Sequence, residues 1–132
     1  MKARKKSASE KIFISAVISS VCFIYHSIAN ALIIPMTTGQ METLTINNVT
    51  GTFQTVMLEQ AYTNPVVVCT NNLDSVADPA VVVRLNNVTG SGFDIQLQVA
   101  YGPGTPVAAK VHCIIAEEGI NEMSDGTDFE AS

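Results

Sequence analysis

The chain has 132 residues, 47% of them hydrophobic and 14% charged, with a net charge of −5 at pH 7 and no tryptophan. Five of its seven basic residues, Lys2, Arg4, Lys5, Lys6 and Lys11, lie in the first eleven positions, so the chain beyond residue 31 keeps only Arg84 and Lys110 against eleven acids, a net charge of −9. A chain so acidic has no basic face with which to release counterions from a polyanion, which excludes nucleic acid as a partner.

In chain order, the basic stretch MKARKKSASEK is followed by a mostly apolar run from Ile12 to Tyr25 and then by the small-residue pattern Ala29-Asn30-Ala31. This is the layout of a secretory signal peptide, expected as a helix over residues 1–31 and cut after Ala31, and it directs the product to the extracellular space or the periplasm. The alternative is an uncleaved anchor from Ile12 to Ile34, which would place Ser15, Ser19, Ser20, His26, Ser27 and Asn30 in hydrocarbon at a desolvation cost. Contact with a membrane is expected only through such an uncleaved leader.

After the cut, about a hundred residues remain, one small domain. Residues 32–42 read as a linker. Six strands are expected next, at Thr43–Val49, Phe53–Leu58, Pro65–Cys69, Ala80–Val88, Phe93–Val99 and Val107–Ala116, separated by turn-forming Asn-Asn, Asp-Pro, Thr-Gly, Ser-Gly and the GPGTP run at 102–106. The clearest is Phe93–Val99, where Phe93, Ile95, Leu97 and Val99 alternate with Asp94, Gln96 and Gln98, one dry face and one wet. No stretch past Ala31 sustains a helical period, so few helices are expected. Six strands with one apolar face each predict an all-β, six-stranded antiparallel β-sandwich over residues 43–120.

Six of the acids fall between Glu117 and Glu130, and residues 121–132 read as an acidic tail or as a continuation cut short. Of three cysteines, Cys22 leaves with the leader. Cys69 and Cys113 both sit in apolar strand runs; an oxidising compartment allows them to close as a disulfide, and two buried free thiols are the alternative.

The pentapeptide NNVTG occurs twice, at 47–51 and 86–90, each time after an apolar residue. The similarity stops there, and the expectation is two strand ends using the same turn chemistry rather than a repeat. Both copies also match the N-glycosylation acceptor pattern, at Asn48-Val49-Thr50 and Asn87-Val88-Thr89.

Tyr62, the run Asn64-Pro65-Val66-Val67-Val68, Val88-Thr89, Gly92-Phe93 and the segment from Val111 through Glu118-Gly119 together resemble the H-type lectin module. The resemblance spans residues 52–119. It implies a six-stranded antiparallel sandwich that forms a homotrimer and binds the sugars of glycoconjugates in shallow sites between subunits. The tail from Met123 to Ala131, with its DGT turn, resembles the segment that comes after this module in large secreted adhesin-like proteins. One position departs from the family pattern: Cys113 stands where the family commonly has an aromatic residue in the last strand.

No enzymatic constellation is visible. There is no G-x-S-x-G elbow, no H-E-x-x-H, no Walker A and no Rossmann glycine set, and no cofactor is implied. His112 and Cys113 are neighbours on one strand and face opposite sides, so they cannot act as base and nucleophile. Arg84, with Val83 and Leu85 inward, offers fixed donors to a sugar hydroxyl or to a carboxylate of a neighbouring subunit. With Asp94 and Lys110 as further polar neighbours, the expected carbohydrate-binding residues are Arg84, His112, Tyr101 and Asp78. The pairs Asp74 with Asp78 and Asp125 with Asp128 give oxygen ligands at short spacing, but neither matches a calcium loop, and acidic turns in water are the expected reading.

Overall fold

The computed structural model describes residues 29–72 and 79–132, and the strands in them run β1 (Ala29–Ile34), β2 (Met36–Thr38), β3 (Met41–Val49), β4 (Gln54–Met57), β5 (Pro65–Asn72), β6 (Val81–Thr89), β7 (Gly92–Val99), β8 (Ala109–Glu117), β9 (Gly119–Met123) and β10 (Asp128–Ala131). The chain is all-β, every pairing is antiparallel, and no helix occurs among the described residues. The expected leader helix falls outside them, apart from its last residues.

All six expected strands are present as β3 to β8, with bounds moved by no more than three residues. Four more lie outside those six. Residues 29–34 form β1, which begins inside the expected leader and crosses the expected cut. The expected linker 32–42 holds the end of β1, all of β2 and the start of β3. The expected tail closes into the hairpin β9–β10. Physically, these strands are short or built on alanine and polar residues, which carry little β signal on their own; they are held by pairing with longer neighbours.

The strands form a four-stranded sheet in the order β1-β3-β8-β5, a three-stranded sheet β4-β7-β6 and a second three-stranded sheet β10-β9-β2. Alternation decides what lies between the first two. Leu44, Ile46, Val111, Cys113 and Ile115 of the larger sheet and Val56, Phe93, Ile95 and Leu97 of the smaller one meet in a single buried cluster. Phe93 is its largest fully buried side chain. The sheet β10-β9-β2 covers one end of the opposite, outer face of the larger sheet. There the cross-strand row Ile34, Met41, Ala116 and Val66 packs with Met36, Met123, Phe129 and Ala131.

Cys69 and Cys113 are direct cross-strand partners on β5 and β8, their Cα atoms 4.1 Å apart, and they form a disulfide. The free-thiol alternative is therefore set aside. A disulfide belongs to an oxidising setting, extracellular or periplasmic.

The two NNVTG segments use one device. Asn48 and Asn87 both take a left-handed backbone, with φ of 57° and 50°, and each sits at a register shift, one between β3 and β8 and the other between β6 and β7. Asparagine tolerates that conformation better than other residues with a side chain, and a bulge places an extra residue there. The bulge turns the side-chain alternation over, so that Val49, directly after the exposed Asn48 and an odd number of residues past the buried Ile46, is again fully buried.

Candidate functional site

The β4–β5 loop, the β6–β7 turn and the β8–β9 junction at Glu118 converge at one end of the two packed sheets. Glu117, the last residue of β8, holds them together: its Oε2 accepts from the backbone N–H of Thr63 at 2.9 Å and its Oε1 from that of Asn64 at 2.7 Å. The N–H of Glu118 returns a bond to the Asn64 carbonyl at 2.9 Å. On the other side the Tyr62 N–H donates to the Gly90 carbonyl at 2.8 Å, and that of Leu58 to the Ser91 carbonyl at 3.0 Å. The β6–β7 turn is itself tied by the Thr89 hydroxyl, which donates to the Gly92 carbonyl at 2.9 Å.

Above this clasp lies an open cleft of about 370 Å³, bounded by Thr63, Asn64, Pro65 and Val66 on one wall, Val88, Thr89 and Gly90 on the other, and Glu118 at one end. Hydroxyl, amide and carboxylate groups stand beside the apolar surfaces of proline and valine. That mixture suits a ligand with both polar and apolar faces. No arginine or lysine among the described residues borders it.

Charge-assisted bonds to two adjacent amides make Glu117 the fastener of the loop. Replacing it with alanine leaves the Thr63 and Asn64 amides without their acceptor. The expected loss is about 2 kcal/mol, tempered by water reaching these exposed groups, and is read from urea unfolding.

A second polar group lies under the same loop, inside the core. Glu42 projects from β3 on the core side, opposite Ile33 and Ile115, and is fully buried. Its Oε2 accepts from the Glu59 N–H at 3.2 Å, while its Oε1 and the buried Tyr62 hydroxyl have no hydrogen-bond partner among the described residues. Burial is the main cause that raises the Glu42 carboxyl above its ordinary 4.5; the negative charge of Glu59 adds to it, and the backbone amides of Glu59 and Gln60 oppose it. Burial, then the charges of Glu42 and Glu117, push the Tyr62 phenol well above its usual value.

For Glu42 the folded chain holds its proton more tightly than the unfolded chain, so its contribution is complete below about pH 4.5 and is lost as the pH rises through the raised folded value. Glu42→Gln removes that titration. The variant is expected to be more stable than the parent by about 1 kcal/mol at pH 7 and to show no gain at pH 4, as measured by urea unfolding at the two pH values.

The expected sugar-binding residues fall in separate places. Arg84 is exposed on the outer face of β6, its Nε donating to Gln98 Oε1 at 2.8 Å. Asp94 lies on the same face of that sheet and accepts from the Thr55 hydroxyl and the Asn87 amide, each at 2.7 Å, bonds that hold its carboxyl below the usual range. His112 and Lys110 project from the outer face of β8, on the opposite side of the packed sheets, where His112 Nδ1 lies 3.1 Å from the Thr45 hydroxyl. Tyr101 is 87% exposed in the loop after β7. Asp78 and Asp74 lie outside the described residues. Arg84 and His112 thus cannot touch one small ligand. Asp125 is engaged in its own turn, its Oδ1 accepting from the Thr127 N–H at 2.9 Å, which lowers its carboxyl. Among the described residues, no three His, Cys, Asp or Glu side chains group as a metal site.

The cleft was missed by reasoning from exposed charges. Asn64-Pro65, Val88-Thr89 and Glu118, which border it, are among the positions that resemble the H-type lectin module. No family model matches the chain, nor does any curated protein or solved structure, so that resemblance rests on the sequence motifs alone.

Proposed function

We propose that the protein is a secreted, non-catalytic carbohydrate-binding module, an H-type-lectin-like β-sandwich, whose sugar site is the cleft between the β4–β5 loop and the β6–β7 turn. The observation that carries this reading is the convergence of Thr63, Asn64, Thr89 and Glu118 around an open cleft with Pro65, Val66 and Val88 as its apolar part. Hydroxyls and an amide can pair with sugar hydroxyls, and the apolar wall can meet the carbon face of a ring. The disulfide supports export to an oxidising compartment. Anionic sugars are disfavoured, since Glu118 borders the site and no cationic side chain among the described residues does.

A glycan array probed with the exported protein tests this, with Asn64→Ala, Arg84→Ala and His112→Ala beside the parent. Binding should be lost with Asn64→Ala and kept by the other two variants. Loss with Arg84→Ala or His112→Ala alone would move the site to that outer face. Absence of binding to every sugar, with or without calcium, would end the lectin reading.

A second reading, a structural or adhesive module of a larger surface protein with no small ligand, is favoured by one observation. Leu32, Ile114 and Val68, respectively 65%, 52% and 64% exposed, stand in a single cross-strand row with Thr43 on the outer face of the larger sheet. An apolar row of this kind suits contact with another subunit or domain, including the trimer that the resemblance implies. A reading frame that continues past Ser132 and a silent glycan array together would support it.

A further inference from the structure

We propose that removal of the leader after Ala31 opens the outer edge of β3 as an acceptor for an added β-strand, one that runs antiparallel to β3 and presents small side chains at two alternate positions. The inference rests on the reading of residues 1–31 as a cleaved leader and on the pairing of β1. In the sheet order β1-β3-β8-β5, β1 is the edge strand and the neighbour of β3 on that side. Ala29, Asn30 and Ala31 pair with Ile46, Thr45 and Leu44, and Leu32, Ile33 and Ile34 pair with Thr43, Glu42 and Met41. The expected cut falls between these two halves.

Ala29 and Ala31 are half-buried and pack against the cluster that holds Leu44 and Ile46, which are 2% and 0% exposed. Their removal uncovers the flank of both core residues and leaves the outward backbone groups of residues 44–46 unpaired. An unpaired, straight stretch of edge next to apolar side chains is a template for another strand. Main-chain hydrogen bonds supply the affinity of strand addition, and the pockets for alternate side chains supply its selectivity. In the folded chain both positions are filled by alanine, half-buried against Leu44 and Ile46. An incoming segment must therefore carry Ala, Gly or Ser at the positions facing Leu44 and Ile46, with a polar residue between them facing outward as Asn30 does. It also displaces the short Leu32–Ile34 stub if it is to use the whole edge.

The test uses the exported protein, its mass determined first, and a fluorescent peptide with the sequence of residues 27–34. A chain beginning at Leu32 that binds this peptide saturably, with a rise in Tm, is the expected result. The same peptide carrying tryptophan in place of both alanines should bind about tenfold more weakly or worse, from the cost of overfilling a small slot. Four outcomes overturn the proposal: an exported chain that retains Ala29, a chain beginning at Leu32 that ignores the peptide, equal binding of the two peptides, and self-pairing of the processed chain that excludes the peptide. The first also refutes the leader reading, whereas the other three leave it standing.

Discussion

Replacing both Cys69 and Cys113 with alanine is expected to destabilise the domain by about 4 kcal/mol, the chain-entropy value for a closed loop of this length. The two residues are 44 apart in sequence and sit directly opposite each other on β5 and β8. The crosslink shortens the unfolded chain's reach across the β5–β6 connection, all of β6 and β7, and the loop before β8. In a domain of about a hundred residues, 1 kcal/mol shifts Tm by roughly 4–8 °C, so the double variant should melt some tens of degrees below the parent. Part of the effect comes from the core itself, because Cys113 is 1% exposed among Leu44, Val111 and Ile115, and alanine leaves a small void there. Thermal unfolding of the parent with and without reductant separates the two contributions. A double variant that melts within a few degrees of the parent would show that the crosslink does not constrain the unfolded chain as described.

Gly90→Ala is expected to cost about 3 kcal/mol and, on the proposed function, to abolish sugar binding at the cleft. A Cβ at position 90 would run into the carbonyl oxygen of Tyr62 and lie 3.1 Å from its carbonyl carbon. These are backbone atoms and cannot swing aside as a side chain can. The approach is close because the Tyr62 N–H bonds to the Gly90 carbonyl at 2.8 Å, which draws the two main chains together without room for a side chain. Relief requires the β4–β5 loop to move away from the β6–β7 turn, pulling Thr63 and Asn64 from the Glu117 carboxylate and separating the two walls of the cleft. Gly104→Ala is the control: its added Cβ would meet only Val99 side-chain carbons at 3.6 Å or more, and it should stay within about 0.5 kcal/mol of the parent, a typical surface value. Urea unfolding reads the stability, and the glycan array reads the site. A stable Gly90→Ala protein with an intact cleft would mean that the two segments are not held as tightly as their backbone bond indicates.

Much of this architecture is local. Alternation in Phe93–Val99 assigns Phe93, Ile95 and Leu97 to the interior and Gln98 to solvent, and burial agrees with that assignment. The same holds for Val111, Cys113 and Ile115 against Lys110 and His112. Strand period is a property of the backbone, so a few consecutive residues suffice to show it. The repeated NNVTG is local in part: asparagine accommodates the left-handed backbone at Asn48 and Asn87, whereas the register shift beside each, where strand-end turns were expected, is defined only against β8 and β7.

Features that depend on remote partners could not be read in this way. Residues 29–34 have the composition of the end of a leader, and only pairing with residues 41–46 makes them a strand. Arg84 and His112 each point away from the core, yet alternation does not say to which sheet a strand belongs, and the packing places them on opposite outer faces. The buried Glu42 falls on an inward position of its strand, where a carboxylate is costly unless its partners are known, and one of those partners is an amide seventeen residues away. The cleft likewise joins segments from residues 63 to 118. The sequence by itself determined that this protein is built of antiparallel strands with a wet and a dry side, and where its tight bends fall, because those are short-range consequences of stereochemistry. Only the tertiary structure decided which strands neighbour one another, that the two cysteines meet, and which polar groups share a site, because those depend on how separate apolar faces find one common interior.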